Sequence, residues 1–183
     1  ALELSIEEIP KGNVIISELD NPAIFDFVIT NSNKSDFVEL YTLVGVTMSP
    51  RGTFKLSPGT STIEVMAWPD EKFREKEGLY SFEYQMKGSR GIYKDKLNIR
   101  VVNLRDVFEV EDINIHPDDE SVIVKIKNAV DANLMNVDFM FKSEFFDVGK
   151  KLDFKPFEEI EIKIDLNKVP ALSAGKYDLI VEV

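Results

Sequence analysis

The titratable side chains of this chain offer little material for an active site. His116 is the only histidine and cysteine is absent, which limits nucleophile–base pairs and excludes thiolate metal sites. His116 precedes Pro117 in a predicted turn, where it is either a metal ligand or general base, or a solvated turn residue. Paired carboxylates can hydrolyse glycosides, but the acidic residues are spread over outward strand positions: Glu64, Glu83, Glu161 and Asp178. We therefore expect no enzyme activity.

Calcium is the inorganic ligand that the sequence favours most, because it accepts several oxygens without rigid geometry. Asp118, Asp119 and Glu120 are its candidate ligands, clustered in one predicted turn. Their spacing does not match a calcium-loop pattern, and an ordinary polar turn is the alternative. No phosphate-binding, dinucleotide or nucleophile-elbow motif is present. The sequence predicts no cofactor other than, at most, this calcium.

The charge balance excludes two classes of partner. The net charge is −11 and the isoelectric point is about 4.7, whereas nucleic acids and anionic membranes attract clustered Lys and Arg. No apolar stretch approaches the roughly 20 residues that cross a bilayer. Gln85 is the only glutamine, and the scarcity of glutamine beside abundant Glu and Lys favours a hot-environment, archaeal or other prokaryotic source.

Five basic residues near a predicted hairpin form a ridge on this acidic protein. They are Lys87, Arg90, Lys94, Lys96 and Arg100. As a functional surface the ridge would bind an acidic neighbour, such as another copy or an anionic wall polymer. Alternatively, charges on an edge strand prevent strand-to-strand aggregation.

Aromatic residues give the remaining interaction candidates. Trp68, the only tryptophan, ends an alternating strand before Pro69. It would either belong to a carbohydrate platform or close the mouth of a sandwich. Phe145 and Phe146 are adjacent on a predicted strand, where neighbours face opposite sides. One of them must then face outward and be covered by another domain or a binding partner.

An internal repeat with an offset of 97 residues organises the chain. Asn31 closes the run AIFDFVITN, and Asn128 closes ESVIVKIKN. Alternating apolar residues predict half-buried strands in both runs. The same offset relates Ile63, Val65 and Ala67 to Ile160, Ile162 and Ile164, and it relates Phe82, Tyr84 and Met86 to Leu179, Val181 and Val183. Because a one-residue slip would turn an inward face outward, we infer two copies of one fold.

The pattern predicts an all-β protein of two domains, residues 1–104 and 105–183. Turn signals containing Pro and Gly separate the strands. A single helical turn is predicted within 70–77, with Glu71 and Arg74 on one face. Predicted strands in the first copy are 2–6, 13–17, 23–30, 37–46, 53–57, 61–67, 79–87 and 91–102. Those in the second are 107–115, 121–128, 134–142, 145–155, 159–165 and 176–183.

A Gly-x-Tyr motif precedes a late strand in each copy. Gly78 and Tyr80 form the first motif, and Gly175 and Tyr177 the second. It resembles the tyrosine corner of immunoglobulin-like domains, with Phe82 and Leu179 at the position of the second cysteine. Over nearly the whole chain, twice, the order of strands and turns resembles the CARDB and NEW3 group of prokaryotic immunoglobulin-like repeats.

This resemblance implies two tandem immunoglobulin-like or fibronectin-III-like β-sandwiches. It implies a non-catalytic structural and interaction module of a larger cell-surface, S-layer-associated or secreted protein. Its partners would be other domains of that protein, surface proteins or a polysaccharide, in the extracellular space or cell envelope. The alternative is a carbohydrate-binding accessory region beside a secreted hydrolase.

The second copy is expected to lack its last strand. After Tyr80 the first copy continues through a hairpin to Val102, whereas after Tyr177 the sequence reaches only Val183. A missing strand leaves backbone groups unpaired. We expect that the parent protein continues beyond Val183 and supplies the strand; the alternative is a partner that donates it in trans.

Overall fold

The computed structural model describes residues 2–43, 45–167 and 177–183. Antiparallel strands dominate, as the alternating apolar pattern predicts, and the all-β fold is confirmed. The chain divides into two compact units, Ala1–Asn103 (unit 1) and Leu104–Val183 (unit 2). Each has its own sheets.

Unit 1 is a sandwich of two sheets. The first sheet has the strand order β1-β3-β7-β5 and the second β2-β9-β8-β4-β6. The inward residues of both sheets form one hydrophobic core, which includes Phe25, Phe27, Tyr84, Leu97 and Ile99. The strands are β1 (Leu4–Pro10), β2 (Val14–Ile16), β3 (Ala23–Asn31), β4 (Asp36–Thr42), β5 (Val46–Ser49), β6 (Thr53–Leu56), β7 (Gly59–Pro69), β8 (Gly78–Gly88) and β9 (Gly91–Val102).

Within the described residues, unit 2 repeats the plan with fewer strands. Its sheets have the orders β10-β11-β14 and β13-β12-β15. Phe108 joins them, since its ring centroid lies 4.9 Å from that of Phe139 and 5.1 Å from that of Phe154. The strands are β10 (Phe108–Val110), β11 (Ser121–Asn128), β12 (Leu134–Lys142), β13 (Asp147–Phe154), β14 (Glu159–Asp165) and β15 (Ile180–Glu182).

Strand pairing shows where the two copies coincide. Ile29 pairs with Ile6, and its repeat partner Ile126 pairs with Val110. On the other side, Ile29 pairs with Ser61, whereas Ile126 pairs with Ile160. The structural equivalence of β7 and β14 is therefore shifted by two residues from the sequence repeat. An even shift keeps the same residues facing the core.

Some predicted elements differ from the structure. Of the predicted strand 176–183, only Ile180–Glu182 is a strand among the described residues. The single strand 37–46 is wrong: β4 and β5 belong to different sheets, and the chain crosses between them before Val46. Only Phe108–Val110 of the predicted strand 107–115 is a strand. The helical turn is Glu71–Arg74 (α1), but the Arg74 guanidinium binds the Asp20 carboxylate at 2.8 Å, not Glu71.

The late strands of the two units have different neighbours. In unit 1, β8 lies between β4 and β9. In unit 2, β15 pairs with β12 and, within the described residues, with no other strand. The described helices include none with the length and apolar character needed to span a membrane.

Candidate interaction surfaces

Four basic side chains lie together on the outer face of the five-stranded sheet. We call Lys87, Lys94, Lys96 and Arg100 the basic strip. Leu97, Ile99 and Val101 of β9 face the core, so the alternate positions 94, 96 and 100 face outward. Lys87 projects from the same face of β8. All four side chains are exposed, and no salt bridge between described residues includes them.

Exposed apolar side chains accompany these cations. Leu79 is the cross-strand partner of Arg100, and Ile92 is the partner of Lys87. Phe37 on β4 pairs in the same way with Lys55 of β6. Each apolar residue is exposed, although charged residues usually dominate the outer face of a sheet. The core of a protein interface is apolar and Arg is enriched in interfaces, whereas Lys is depleted there.

Strand β9 is only partly an edge. Val14, Ile15 and Ile16 of β2 pair in parallel with residues 100–102 of β9, which corrects the interpretation of the whole strand as an edge. Within the described residues, Ile92–Asn98 pairs on one side only. Lys94 and Lys96 therefore still flank a backbone edge, and the protective interpretation of these lysines applies to that stretch.

The turn between β8 and β9 is fixed to the start of β4. The Asp36 carboxylate accepts hydrogen bonds from the Ser89 backbone N–H at 2.8 Å and from its hydroxyl at 2.9 Å. The Ser89 hydroxyl lowers the pKa of Asp36 more than any other contact. The Arg90 guanidinium donates to Asn33 Oδ1 at 3.1 Å. Arg90 therefore lies at the end of the basic strip, with part of its donor capacity in use.

Trp68 lies on the outer face of the four-stranded sheet. Its neighbours Ala67 and Pro69 are buried, while Trp68 is half-buried and pairs across the sheet with Thr47. The Trp68 side chain therefore points away from the core of unit 1, which does not favour the interpretation that it closes the mouth of the sandwich. Met66 and Ile24 are cross-strand partners on the same face, both half-buried. The surface around Trp68 is apolar and partly accessible.

Phe145 and Phe146 lie in the turn before β13, not in a strand. The Ser143 N–H donates to the Phe146 carbonyl at 2.9 Å and closes this turn. Phe146 is buried in unit 2, so it cannot contact a partner. The half-buried ring of Phe145 packs edge-on against Tyr177, with the centroids 5.4 Å apart. Phe145 is therefore covered, at least in part, by its own unit.

The calcium candidates lie in a turn that is closed by its own groups. Asp119 Oδ2 accepts the His116 N–H at 2.7 Å, and the Asp119 N–H donates to the His116 carbonyl at 3.0 Å. The described residues contain no group of three or more acidic or histidine side chains arranged to hold a metal. An open depression of about 340 Å³ lies nearby, and its lining includes Glu111, Asp112 and Asp119. The Lys125 ammonium, which also lines it, pairs with Glu111 at 3.7 Å.

A partly buried cluster of polar side chains in unit 1 is not evident from the sequence. Glu8, Tyr84, Tyr93 and Asp95 form what we call the carboxyl cluster. The Tyr84 hydroxyl donates to the Glu8 carboxylate, and the Tyr93 hydroxyl donates to Asp95 at 3.1 Å. Burial raises the pKa of Glu8, the Tyr84 hydrogen bond opposes this, and the Asp95 charge raises it further. Burial also raises the pKa values of both tyrosines.

The carboxyl cluster joins the two sheets of unit 1. Glu8 belongs to β1, whereas the other three residues belong to β8 and β9. Tyr84 is fully buried and its hydroxyl donates a hydrogen bond to the Glu8 carboxylate. The geometry therefore favours a structural link between the sheets over acid–base catalysis on a substrate. The signal in the sequence is Asp95, which interrupts the inward apolar series of β9.

The two predicted tyrosine corners differ. The Tyr80 hydroxyl donates to the Lys76 carbonyl at 2.7 Å, four residues upstream, which is the hydrogen bond expected of this motif. Gly78 begins the strand with φ 149°. Tyr177 is exposed and precedes β15. Gly175 lies outside the described residues.

Asn31 and Asn128 are buried and bind equivalent backbone groups. Asn128 Nδ2 donates to the carbonyls of Ala132 at 2.8 Å and Lys155 at 3.0 Å, and its Oδ1 accepts the Val130 N–H at 3.1 Å. Asn31 Nδ2 donates to Lys34, Leu56 and Ser57 at 3.3–3.5 Å, and its Oδ1 accepts the Asn33 N–H. We call them the loop-anchoring asparagines.

Comparisons with known proteins identify no family. No protein-family model matches the chain, and no curated protein matches it. Among solved structures, the E. coli chaperone DraB is similar at 11% identity and a TM-score of 0.40, over 95% of this chain and 89% of that one. A Porphyromonas gingivalis W83 protein of unknown function is similar at 12% identity and a TM-score of 0.37, over 91% of this chain and 83% of that one. The Pseudomonas aeruginosa CupB2 chaperone is similar at 12% identity and a TM-score of 0.33, over 94% of this chain and 98% of that one. Similarity this low carries no functional argument.

Proposed function

We propose that this protein is a non-catalytic binding and spacing module of a cell-surface or secreted prokaryotic protein. In this proposal the outer face of the five-stranded sheet of unit 1 binds an acidic partner, either a neighbouring protein domain or an anionic polymer. The carrying observation is the basic strip: four exposed cations that form no salt bridge with another described residue, with exposed Leu79 and Ile92 beside them, on a chain of net charge −11.

The physical basis is local charge of the opposite sign to the whole molecule. Long-range repulsion keeps the acidic faces away from an acidic partner, whereas the basic strip attracts it and orients the encounter. Leu79 and Ile92 then add apolar burial at about 25 cal/mol per Å². A partner held only by charge would not need these apolar residues.

A titration with poly-L-glutamate tests this proposal. We expect the largest amide NMR shifts of the labelled chain at residues 79–100, with Leu79 and Ile92 included. The pair Lys94→Glu and Lys96→Glu should weaken binding at least about tenfold. The control is a double variant of unit 2, Lys150→Glu with Lys163→Glu, which changes the net charge by the same amount. Both lysines are exposed. Equal weakening by both pairs, or shifts at every exposed lysine, would refute a defined site.

Carbohydrate binding is the second candidate, and the outward position of Trp68 favours it. A half-buried indole flanked by Met66 and Ile24 offers an apolar platform for a sugar ring. Because Trp68 is the only tryptophan, its fluorescence reports directly on that surface. A saturable change in Trp68 emission when a soluble polysaccharide is added would support this candidate. Calorimetry should then detect polysaccharide binding by Trp68→Phe, which keeps an aromatic ring, and no binding by Trp68→Ala. An unchanged emission spectrum across a polysaccharide panel would reject it.

A further inference from the structure

The outer face of the four-stranded sheet of unit 1 combines apolar and acidic side chains. We call Ile24, Asp26, Glu64, Met66 and Trp68 the Trp68 face. These positions of β3 and β7 alternate with residues that face the core, so all five side chains point outward. Glu64 is exposed and the other four are half-buried. A partner that covers this face would remove both apolar surface and two carboxylates from water.

The two carboxylates of the Trp68 face stand directly opposite each other. Asp26 is the cross-strand partner of Glu64, and like charges in this arrangement destabilise a sheet. The Lys11 ammonium lies 3.6 Å from the Asp26 carboxylate, but 54% of the Lys11 side chain is exposed, so solvent weakens this ion pair. Glu64 forms no salt bridge with another described residue. Two cations brought by a partner would therefore relieve the repulsion.

The basic strip on the other sheet of unit 1 carries the complementary groups. Lys94 and Lys96 are two residues apart on β9, and exposed Ile92 is two residues from Lys94. Glu83 is the cross-strand partner of Lys96, but the two form no salt bridge. Two residues of a strand span about 7 Å. On the Trp68 face, each carboxylate likewise has an apolar side chain two residues along its own strand. The two faces thus repeat one spacing of charged and apolar groups with opposite charge.

We propose that the basic strip of one molecule binds the Trp68 face of a second copy of this chain. The two lysines of β9 lie against the two carboxylates, and the apolar groups of the two faces cover each other. This inference rests on the proposed function, because it identifies the acidic neighbour of the basic strip. Since the two surfaces differ and lie on different sheets of unit 1, the contact is head-to-tail and copies add in series.

Sedimentation of the full 183-residue chain tests the proposal. In about 100 mM sodium chloride the Debye length is about 10 Å, so distant acidic surfaces repel weakly while groups across a contact still attract. The weight-average mass should rise from 20.9 kDa by at least about twofold between about 10 µM and about 1 mM protein. Amide NMR shifts should change over the same concentrations at residues 24–28, 64–68 and 79–100. A mass that stays at the monomer value would overturn the proposal.

Two charge-reversal variants identify the surfaces. Lys94→Glu with Lys96→Glu, the basic reversal, should remain monomeric. Asp26→Lys with Glu64→Lys, the acidic reversal, should also remain monomeric. An equimolar mixture should recover the wild-type mass, because the reversed strip of one variant meets the reversed face of the other and the unchanged surfaces meet as before.

A milder variant keeps the test decisive if the acidic reversal does not fold. Circular dichroism checks the folding of each variant. Asp26→Asn with Glu64→Gln removes both charges without added bulk, and it should weaken self-association at least about tenfold. Unchanged self-association of this folded variant would overturn the proposal.

Net charge alone predicts a different result. The acidic reversal changes the net charge from −11 to −7, because each of its two substitutions adds two positive charges. Weaker overall repulsion would then favour its self-association. Association of this variant by itself, or a mixture of folded variants that stays monomeric, would overturn the proposal. Equal behaviour of the basic reversal and the control Lys150→Glu with Lys163→Glu would overturn it too.

Poly-L-glutamate separates this inference from the proposed function. The acidic reversal keeps the basic strip, so it should still bind the polymer at residues 79–100. A wild-type chain that binds the polymer there but stays monomeric would overturn only the inference about a second copy. Self-association through both faces without polymer binding would contradict only the wider specificity for acidic partners.

Discussion

The loop-anchoring asparagines are a case where one residue type serves one purpose in both units. Each amide lies at the end of a strand and satisfies backbone groups of the following loop and of the turn before the next strand in its sheet. Buried backbone groups without partners cost about 1–3 kcal/mol each. Asparagine supplies a donor and an acceptor at once, which Ala, Asp or Leu cannot do in this position.

Replacing these asparagines should have unequal effects. Asn128→Ala should lower the free energy of unfolding of unit 2 by about 2–3 kcal/mol. Asn31→Ala should cost unit 1 about 1 kcal/mol, because the Asn31 donor distances of 3.3–3.5 Å indicate weaker bonds. Urea unfolding followed by circular dichroism and Trp68 fluorescence measures both. Equal losses would contradict the argument from distance.

The carboxyl cluster predicts a pH effect. Burial raises the pKa of Glu8 above its ordinary value of about 4.5, so the folded state binds the proton more tightly than the unfolded state does. Its stabilising contribution is complete below about pH 4.5 and is lost as pH rises through the folded-state pKa. Glu8→Gln mimics the protonated side chain, and its stability relative to wild type should rise between pH 4.5 and 7.

Denaturant unfolding at several pH values measures this difference. Glu7→Gln is the matched control, because Glu7 is the adjacent exposed residue of β1. It removes the same charge without entering the carboxyl cluster. A parallel pH dependence for both variants would show that overall charge, and not the buried pair, causes the effect.

At the scale of elements, the crossover between β4 and β5 decides how the sandwich closes. Gly45 has φ 85°, and its carbonyl accepts the Asp70 N–H at 2.8 Å. A Cβ on Gly45 would lie 2.6 Å from the Phe73 ring, which itself packs against Tyr80 and Phe82. Glycine is thus required here twice, by backbone conformation and by space.

Gly45→Ala should therefore destabilise unit 1 strongly. The left-handed conformation costs about 1–2 kcal/mol and the overpacking about 1–3 kcal/mol. Gly52→Ala isolates the first contribution, because Gly52 has φ 74° but no atom within 4 Å of the added Cβ. We expect Gly52→Ala to cost about 1–2 kcal/mol. Differential scanning calorimetry compares them, and equal shifts would refute the packing contribution.

The sequence predicts the strands well because inward and outward positions alternate over most of them. The prediction fails at β4 and β5, because the apolar residues Val38, Leu40 and Val46 all stand at even positions. The alternation therefore reads as one strand and hides the change from one sheet to the other. Pairing between distant segments is also invisible to local pattern, so β2 beside β9 was not foreseen. The basic strip follows from alternation alone, whereas Glu8 meets Tyr84 only through the packing of two sheets.

At the scale of the whole molecule, the net charge of −11 opposes the compact state through self-repulsion. The salt bridges among the described residues are largely solvent-exposed, so they offset little of this repulsion. Raising sodium chloride from 10 to 300 mM shortens the Debye length from about 30 Å to well under 10 Å. We expect the melting temperature to rise by about 2–5 °C.

The same change in salt should weaken poly-L-glutamate binding, because screening also reduces attraction to the basic strip. Scanning calorimetry measures the melting temperature, and the NMR titration with poly-L-glutamate measures the binding; both are run in the same buffers. A melting temperature that falls with salt would show that attractive pairs outweigh self-repulsion in the folded chain.

The amide anchors also leave room for variation at one end of each sandwich. Asn31 is followed by residues 32–35 before β4, and Asn128 by residues 129–133 before β12. The loops differ in length and in nearly every residue, yet the anchored backbone groups correspond. The loop of unit 1 is suited to carrying a foreign sequence: an epitope inserted between the exposed Lys34 and Ser35 would be displayed from a frame whose strands need no redesign. Ala132 in the other loop is buried and its carbonyl is itself anchored, so that position is not suited to insertion.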